Sequence, residues 1–125
     1  MYNTLIVDDS ATMRSIIKKA LNIANLPIAQ IFEAKNGQDA IEILENNKVE
    51  LIFLDINMPV MDGLEFIDWI CNSIWKNKVK IVVISSEGSM PRINYIKDKG
   101  KITYLKKPFQ PEKLRDLVNF VMEGG

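Results

Sequence analysis

The chain has no histidine. That absence removes Ser-His-Asp and Cys-His nucleophilic sites, histidine-ligated zinc and imidazole acid-base catalysis together. Chemistry must therefore come from carboxylates, hydroxyls, lysines or a hard metal ion. Cys71 is the single cysteine, so no internal disulfide can form. The opening Met1-Tyr2-Asn3-Thr4 has neither the basic stretch nor the apolar run of an export signal. A reducing, cytoplasmic location is the expectation. Long apolar runs are missing too: Leu51-Ile52-Phe53-Leu54 has four residues, against the roughly 20 that a bilayer-crossing helix needs. No membrane association is expected. Net charge is also absent, with 16 basic residues against 16 acidic ones and a pI near 6.3. No global field draws the chain onto nucleic acid or an anionic surface. The glycine pattern G-x-G-x-x-G does not occur, which removes the common dinucleotide fingerprint.

What is present suits one domain over residues 1–125. A chain of 125 residues buries roughly two-thirds of its surface on folding, enough for a core without staples. Short apolar runs rich in β-branched residues occur at 4–7, 28–32, 51–54, 79–84 and 102–105, and their length and composition predict strands. Helical patterns lie between them. Met13, Ile16, Ile17, Ala20, Leu21 and Ala24 draw one apolar stripe, opened by Ser10 as N-cap and ended by Pro27. A second helix is predicted from about Gly37 to Asn46, with Ala40, Ile41 and Leu44 inward. The third starts at Asp62, whose carboxylate can cap while Glu65 reaches back, and should bury Ile67, Ile70, Cys71 and Ile74. The fourth, over residues 90–99, rests on Met90, Ile93 and Ile96 alone; the fifth follows Pro111, with Leu114, Leu117, Val118 and Val121 on one face.

Strand-helix alternation five times over predicts an α/β domain with a parallel sheet, because parallel strands need crossovers and helices cover both faces. Runs 51–54 and 81–84 are wholly apolar, as central strands are. Gln30 and Thr103 mark the second and fifth runs as edges. With right-handed crossovers the simplest arrangement is a doubly wound five-stranded sheet in order 2-1-3-4-5.

Ligands of such sheets bind beyond the carboxyl ends of the strands, where the winding reverses. Asp8-Asp9 follow the first strand, Asp55 the third, Ser85-Ser86-Glu87 the fourth and Lys106-Lys107-Pro108 the fifth. The first and third strands are neighbours in this order, so Asp8, Asp9 and Asp55 should converge. A lone Asp after a strand is more often a turn or cap residue. Three of them on adjacent strand ends repel one another, and something positive belongs among them. With no histidine or second cysteine, oxygen donors select Mg²⁺ or a similar hard ion, held by one or two carboxylates plus water. Lys107 offers a point charge to a phosphate. A carboxylate such as Asp55 can attack a phosphoryl group without a general base. Transfer then depends on positioning and charge neutralisation, which the metal, Lys107 and the Ser85 hydroxyl could supply.

At these residues the sequence resembles the receiver domain of two-component response regulators, and among them the single-domain CheY-like receivers. Leu5-Ile6-Val7-Asp8-Asp9-Ser10, Asp55-Ile56-Asn57-Met58-Pro59 with Met61-Asp62-Gly63-Leu64, Val83-Ile84-Ser85 and Lys107-Pro108-Phe109 fit the family pattern in order, and the match spans essentially the whole chain. The resemblance implies a flavodoxin-like, CheY-like (βα)5 fold, and the family is itself a standard example of the 2-1-3-4-5 order. It implies that Asp55 accepts a phosphoryl group from the phosphohistidine of a sensor histidine kinase or chemotaxis kinase. Asp9, Asp55 and the backbone carbonyl of Asn57 would ligate Mg²⁺, with Asp8 assisting through water. Lys107 would contact the phosphoryl group, Ser85 would hydrogen-bond it and Tyr104 would swing into the space vacated. The Lys107-Pro108 bond would be cis. The switched surface, on the fourth helix, fifth strand and fifth helix, would bind a downstream protein. Such a chain catalyses its own aspartyl phosphorylation and dephosphorylation, without being a conventional enzyme, as a monomer or weak dimer. The sequence departs from the family at Lys99-Gly100-Lys101, where small alanines around the glycine are usual, and at Lys106 before the motif lysine.

Several outputs stay open. A chemotaxis-type receiver fits the opening segment 8–14, and a phosphorelay intermediate passing phosphate to a histidine phosphotransfer domain fits nearly as well. Gly124-Gly125 could begin a linker, as in a receiver from a longer regulator. A flavodoxin-like electron carrier would share the fold, but it wants a hydroxyl- and glycine-rich loop for its phosphate after the first strand, where Asp8-Asp9 would repel it. A phosphatase of the haloacid dehalogenase type spaces its paired aspartates by one residue, whereas these are adjacent.

Overall fold

The five apolar runs pair side by side because each buries its side chains only when helices cover both faces of the sheet they form. In the computed structural model, which describes residues 1–55, 63–85 and 102–123 (the Ser85 side chain excepted), they are β1 (Tyr2–Val7), β2 (Ile28–Ala34), β3 (Leu51–Leu54), β4 (Lys80–Ser85) and β5 (Ile102–Lys106). The order is β2-β1-β3-β4-β5, and every neighbouring pair is parallel. The polar edges fall on β2 and β5, and β3 at the centre is buried at all its positions.

Four helices are described: α1 (Ala11–Ala24), α2 (Gly37–Asn46), α3 (Gly63–Cys71) and α4 (Pro111–Met122). The last is the fifth helical pattern of the sequence. The fourth pattern, at 90–99, lies outside the described residues, as do Asp62, Lys99-Gly100-Lys101 and Gly124-Gly125. Alternation along the strands sends side chains to two cores. Ile6, Phe53 and Val82 pack with Ile17, Leu21, Leu114 and Val118 beneath α1 and α4. Leu5, Ile52 and Leu54 pack with Ala40, Leu44, Phe66 and Ile67 beneath α2 and α3. Fully burying an aliphatic or aromatic side chain of this size contributes about 1.5–3 kcal/mol. None of the described helices is long and apolar enough to cross a membrane.

Local signals set the helix ends. The Ser10 hydroxyl accepts from the Met13 N–H at 3.1 Å, and α1 closes at Asn25 in the left-handed region (φ 56°), two residues before Pro27. Asparagine tolerates that conformation because its short polar side chain bonds locally. The Asn36 side chain accepts from the Asp39 N–H at 2.8 Å and opens α2. Pro111, with no N–H to satisfy, occupies the first turn of α4.

Three expected core positions differ. Ile74 is 69% exposed, because α3 stops at Cys71: the Ser73 N–H and hydroxyl both donate to the Ile70 carbonyl, and the Trp75 N–H donates to the Ser73 hydroxyl. Cys71 itself is only half-buried. Phe66 takes the core position instead, and an aromatic stack runs outward from it, Phe66 to Trp69 at 6.4 Å and Trp69 to Trp75 at 5.3 Å. Ile16 is 49% exposed; it lies off the stripe centred on Ile17, Ala20, Leu21 and Ala24 and borders a surface cleft with Phe109.

Candidate functional site

The sheet ladder itself delivers the acidic residues. Val7 of β1 sits opposite Leu54 of β3. One rung further, the Asp55 N–H donates to the Val7 carbonyl at 2.9 Å and the Asp8 N–H donates to the Ala34 carbonyl at 3.0 Å. Asp8 and Asp55 therefore leave the sheet side by side at the switch point, with Asp9 next in the chain. One carboxylate oxygen of each of Asp8, Asp9 and Asp55 lies within 4.8 Å of the others.

Asp8 is 2% exposed and is held from several directions. One of its carboxylate oxygens accepts from the Ser10 N–H at 2.9 Å, and the other lies 3.9 Å from the Lys107 ammonium. Its main-chain carbonyl accepts from the Arg14 guanidinium at 2.6 Å. Burial pushes the Asp8 carboxyl above its ordinary range, and the neighbouring Asp55 and Asp9 charges add to that; the Ser10 N–H and Lys107 oppose it. Asp9 is exposed and Asp55 half-buried.

The donor set fits a hard divalent cation. Three carboxylates beside the Lys107 ammonium leave an excess of negative charge that a divalent ion offsets. All three donors are oxygens, the ligand type of Mg²⁺ and Ca²⁺.

Of the residues singled out in the sequence, Asp8, Asp9, Asp55 and Lys107 meet here. Ser85 closes β4 opposite Lys106, and its side chain lies outside the described set. Tyr104 on β5 pairs with Val83 and packs half-buried against the core beneath α2 and α3. The Lys107-Pro108 peptide is cis. Asn57 lies outside the described residues. Beside Lys107, the side chains of Met13, Ile16, Pro108 and Phe109 line a cleft of about 360 Å³.

Sequence reasoning missed Glu33 and the reach of Arg14. Glu33 accepts from Lys18 and from Arg14, each at 3.0 Å, and those hydrogen bonds, that of Lys18 first, hold its carboxyl below the ordinary range. The signal was a lone acid inside the apolar run of β2, facing a basic helix whose matching positions lie 15 and 19 residues earlier.

A doubly wound parallel sheet with three carboxylates at its switch point and a lysine after its last strand defines a flavodoxin-like domain with an acidic, cation-type site. Residues 4–119 match the response regulator receiver domain, and the chain belongs to that family. It is 33% identical to the chemotaxis protein CheY1 of Helicobacter pylori over 119 residues, 94% of each chain. It is 29% identical to the sporulation initiation phosphotransferase F of Bacillus subtilis over 114 residues, 91% of this chain and 88% of that one. Among solved structures, the chemotaxis response regulator CheY4 of Vibrio cholerae superposes with a TM-score of 0.83 at 30% identity, covering 97% of this chain and 98% of that one. The match sets the receiver above the electron carrier.

Proposed function

We propose that the chain is a phospho-accepting switch in which Asp55 takes a phosphoryl group from the phosphohistidine of a partner kinase. The observation that carries this reading is the convergence of Asp8, Asp9 and Asp55 within 4.8 Å beside the Lys107 ammonium. A carboxylate oxygen of Asp55 attacks phosphorus, the P–N bond breaks, the imidazole leaves with the electron pair, and an acyl phosphate remains. The residues that would hold Mg²⁺ are Asp9, Asp55 and the Asn57 carbonyl, with Asp8 acting through water; bound there, the ion supplies positive charge to the phosphoryl oxygens. Lys107 supplies a second positive charge from the β5 side, and the Ser85 hydroxyl donates a hydrogen bond to the new phosphoryl group. Met13, Ile16, Pro108 and Phe109 give the donor an apolar surface beside the acceptor.

Phosphorylation adds close to two negative charges at one strand end. Ser85 and Tyr104, on adjacent strands, respond to it and alter the face of β5 and α4, where a downstream protein binds in the cytoplasm. The names of the relatives, chemotaxis proteins and a sporulation phosphotransferase, support a chemotaxis output and a relay output alike. Phosphoryl transfer from the labelled chain to an isolated histidine phosphotransfer domain separates the two.

Incubation with acetyl phosphate and Mg²⁺ tests the acceptor. The expected result is a mass gain of one phosphoryl group that is lost on chelation and in Asp55→Asn. Absence of Asp55-dependent phosphorylation overturns the reading.

A further inference from the structure

Arg14 belongs neither to the apolar stripe of α1 nor to the acidic set, yet it is only 18% exposed. Its planar fork reaches two elements at once. One terminal nitrogen donates to the Asp8 main-chain carbonyl at 2.6 Å, and Nε donates to one carboxylate oxygen of Glu33 on β2 at 3.0 Å. The other Glu33 oxygen accepts from Lys18, one turn further along α1, at 3.0 Å. The carbonyl that Arg14 holds belongs to the Asp8–Asp9 peptide, so its plane, from which the Asp9 side chain departs, is set from β2 through a rigid group. Electrostatics alone argues against this placement. A guanidinium bonded to the Asp8 carbonyl repels any further cation that the three carboxylates take, and the Glu33 carboxylate offsets that charge.

We propose that Arg14, pinned by Glu33 and Lys18, is a positioning residue for the cation site: it holds the Asp8–Asp9 peptide so that both carboxylates converge on Asp55. The inference rests on the reading of the acidic cluster as a cation site and goes beyond it by assigning part of the affinity to a cation outside the ligand set. Positioning and charge predict opposite signs for its removal. Loss of the Arg14 charge tightens Mg²⁺ binding if only repulsion matters, and loosens it if the peptide must be held.

The experiment titrates Mg²⁺ into the full chain by calorimetry and by NMR, following the Asp9 and Asp55 amides, for wild type, Arg14→Met and Arg14→Lys, with thermal unfolding of each. Arg14→Met is expected to bind Mg²⁺ about tenfold more weakly, the usual effect of removing a group that orients a ligand. Arg14→Lys, which keeps the charge but not the fork, should fall between. A role in stability alone would lower the melting temperature without moving the affinity of the folded protein. Affinity equal to or tighter than wild type in Arg14→Met overturns the inference. Should that variant not fold, unchanged affinity in Arg14→Lys overturns it. A wild-type chain that takes no Mg²⁺ overturns the cation-site reading itself, and the inference with it.

Discussion

At the carboxyl end of β1, Asp8 is buried with its N–H, its carbonyl and one carboxylate oxygen all hydrogen-bonded. Near the amino end of the same strand, Thr4 is buried with a hydroxyl that has no hydrogen-bond partner among the described residues, and the Tyr2 hydroxyl is likewise buried without one there. Both ends place polar groups out of water, and the consequences differ. The carboxyl end gathers three carboxylates whose charge is poorly balanced; the amino end, where the Asn3 N–H donates to the Glu50 carboxylate, gathers no such cluster but leaves two buried hydroxyls without a partner among the described residues. Unbalanced charge creates a demand that an ion or a phosphoryl group can meet from outside. An unpartnered hydroxyl creates only a local cost, of roughly 1–3 kcal/mol. Substitutions at the carboxyl end should therefore alter chemistry and leave or raise stability, while substitutions towards the other end and in the core should alter stability and leave chemistry.

The largest effect expected is at the acceptor. Asp55→Asn should abolish phosphorylation by acetyl phosphate while the melting temperature in metal-free buffer holds or rises, since one of three converging charges is gone. A fall in melting temperature would show that Asp55 also carries the fold, and would break the division between the two ends.

Next is the core. Phe66→Ala removes a fully buried ring at the head of the stack that runs through Trp69 to Trp75, and should cost about 3–5 kcal/mol in a urea melt. Its folded fraction should still phosphorylate at the wild-type rate, measured well below the unfolding transition. A large rate loss in folded protein would join the two regions that the comparison separates.

A third test uses pH. The Asp8 carboxyl is raised by burial first and by Asp55 and Asp9 after that. A group raised in the folded state contributes stability that is fully present below its unfolded pKa and is lost as pH rises through the folded value. Asp8→Asn keeps an acceptor for the Ser10 N–H and removes that loss. In metal-free buffer its melting temperature should exceed wild type by several degrees near neutrality, and the gap should close as pH falls below the carboxylate range. Glu33 has the opposite sign. Its carboxyl is lowered, so its contribution is present above its unfolded pKa and lost as pH falls, and Glu33→Gln should lower stability near neutrality.

The contrast between the two ends also explains what could be read from the sequence. Strand order and the meeting of Asp8, Asp9 and Asp55 were legible because strand ends are marked by where an apolar run stops, and topology then decides which ends are neighbours. The edges were legible from Gln30 and Thr103. The inward side of α2 was legible from Ala40, Ile41 and Leu44, all buried. Ile74 was not, because the end of α3 is set by Ser73, whose hydroxyl competes for the Ile70 carbonyl, a local bond that apolar periodicity does not register. Arg14 and Glu33 were not, because their pairing joins α1 to β2 across 19 residues and depends on how the helix rotates against the sheet. Ser85 is placed by register opposite Lys106, a backbone fact that the position of Ser85 at the end of its apolar run already suggested.

The smallest effect tests the amino end directly. The Thr4 side chain is fully buried between neighbours Ile31 on β2 and Leu51 on β3, and no donor or acceptor among the described residues meets its hydroxyl. Valine has nearly the same shape with a methyl in place of the hydroxyl, and β-branching suits the strand equally. Thr4→Val therefore removes a desolvated polar atom without opening a cavity, and should stabilise the fold by about 1 kcal/mol, read as a rise of roughly 3 °C in melting temperature. Phosphorylation and Mg²⁺ affinity should not change, because Thr4 lies four residues down the strand from Asp8, away from the acidic cluster. Destabilisation by Thr4→Val would mean that the hydroxyl is satisfied by buried water, most simply one shared with Tyr2 on the same face of β1. The amino end would then be as fully hydrogen-bonded as the carboxyl end, and charge alone would distinguish them.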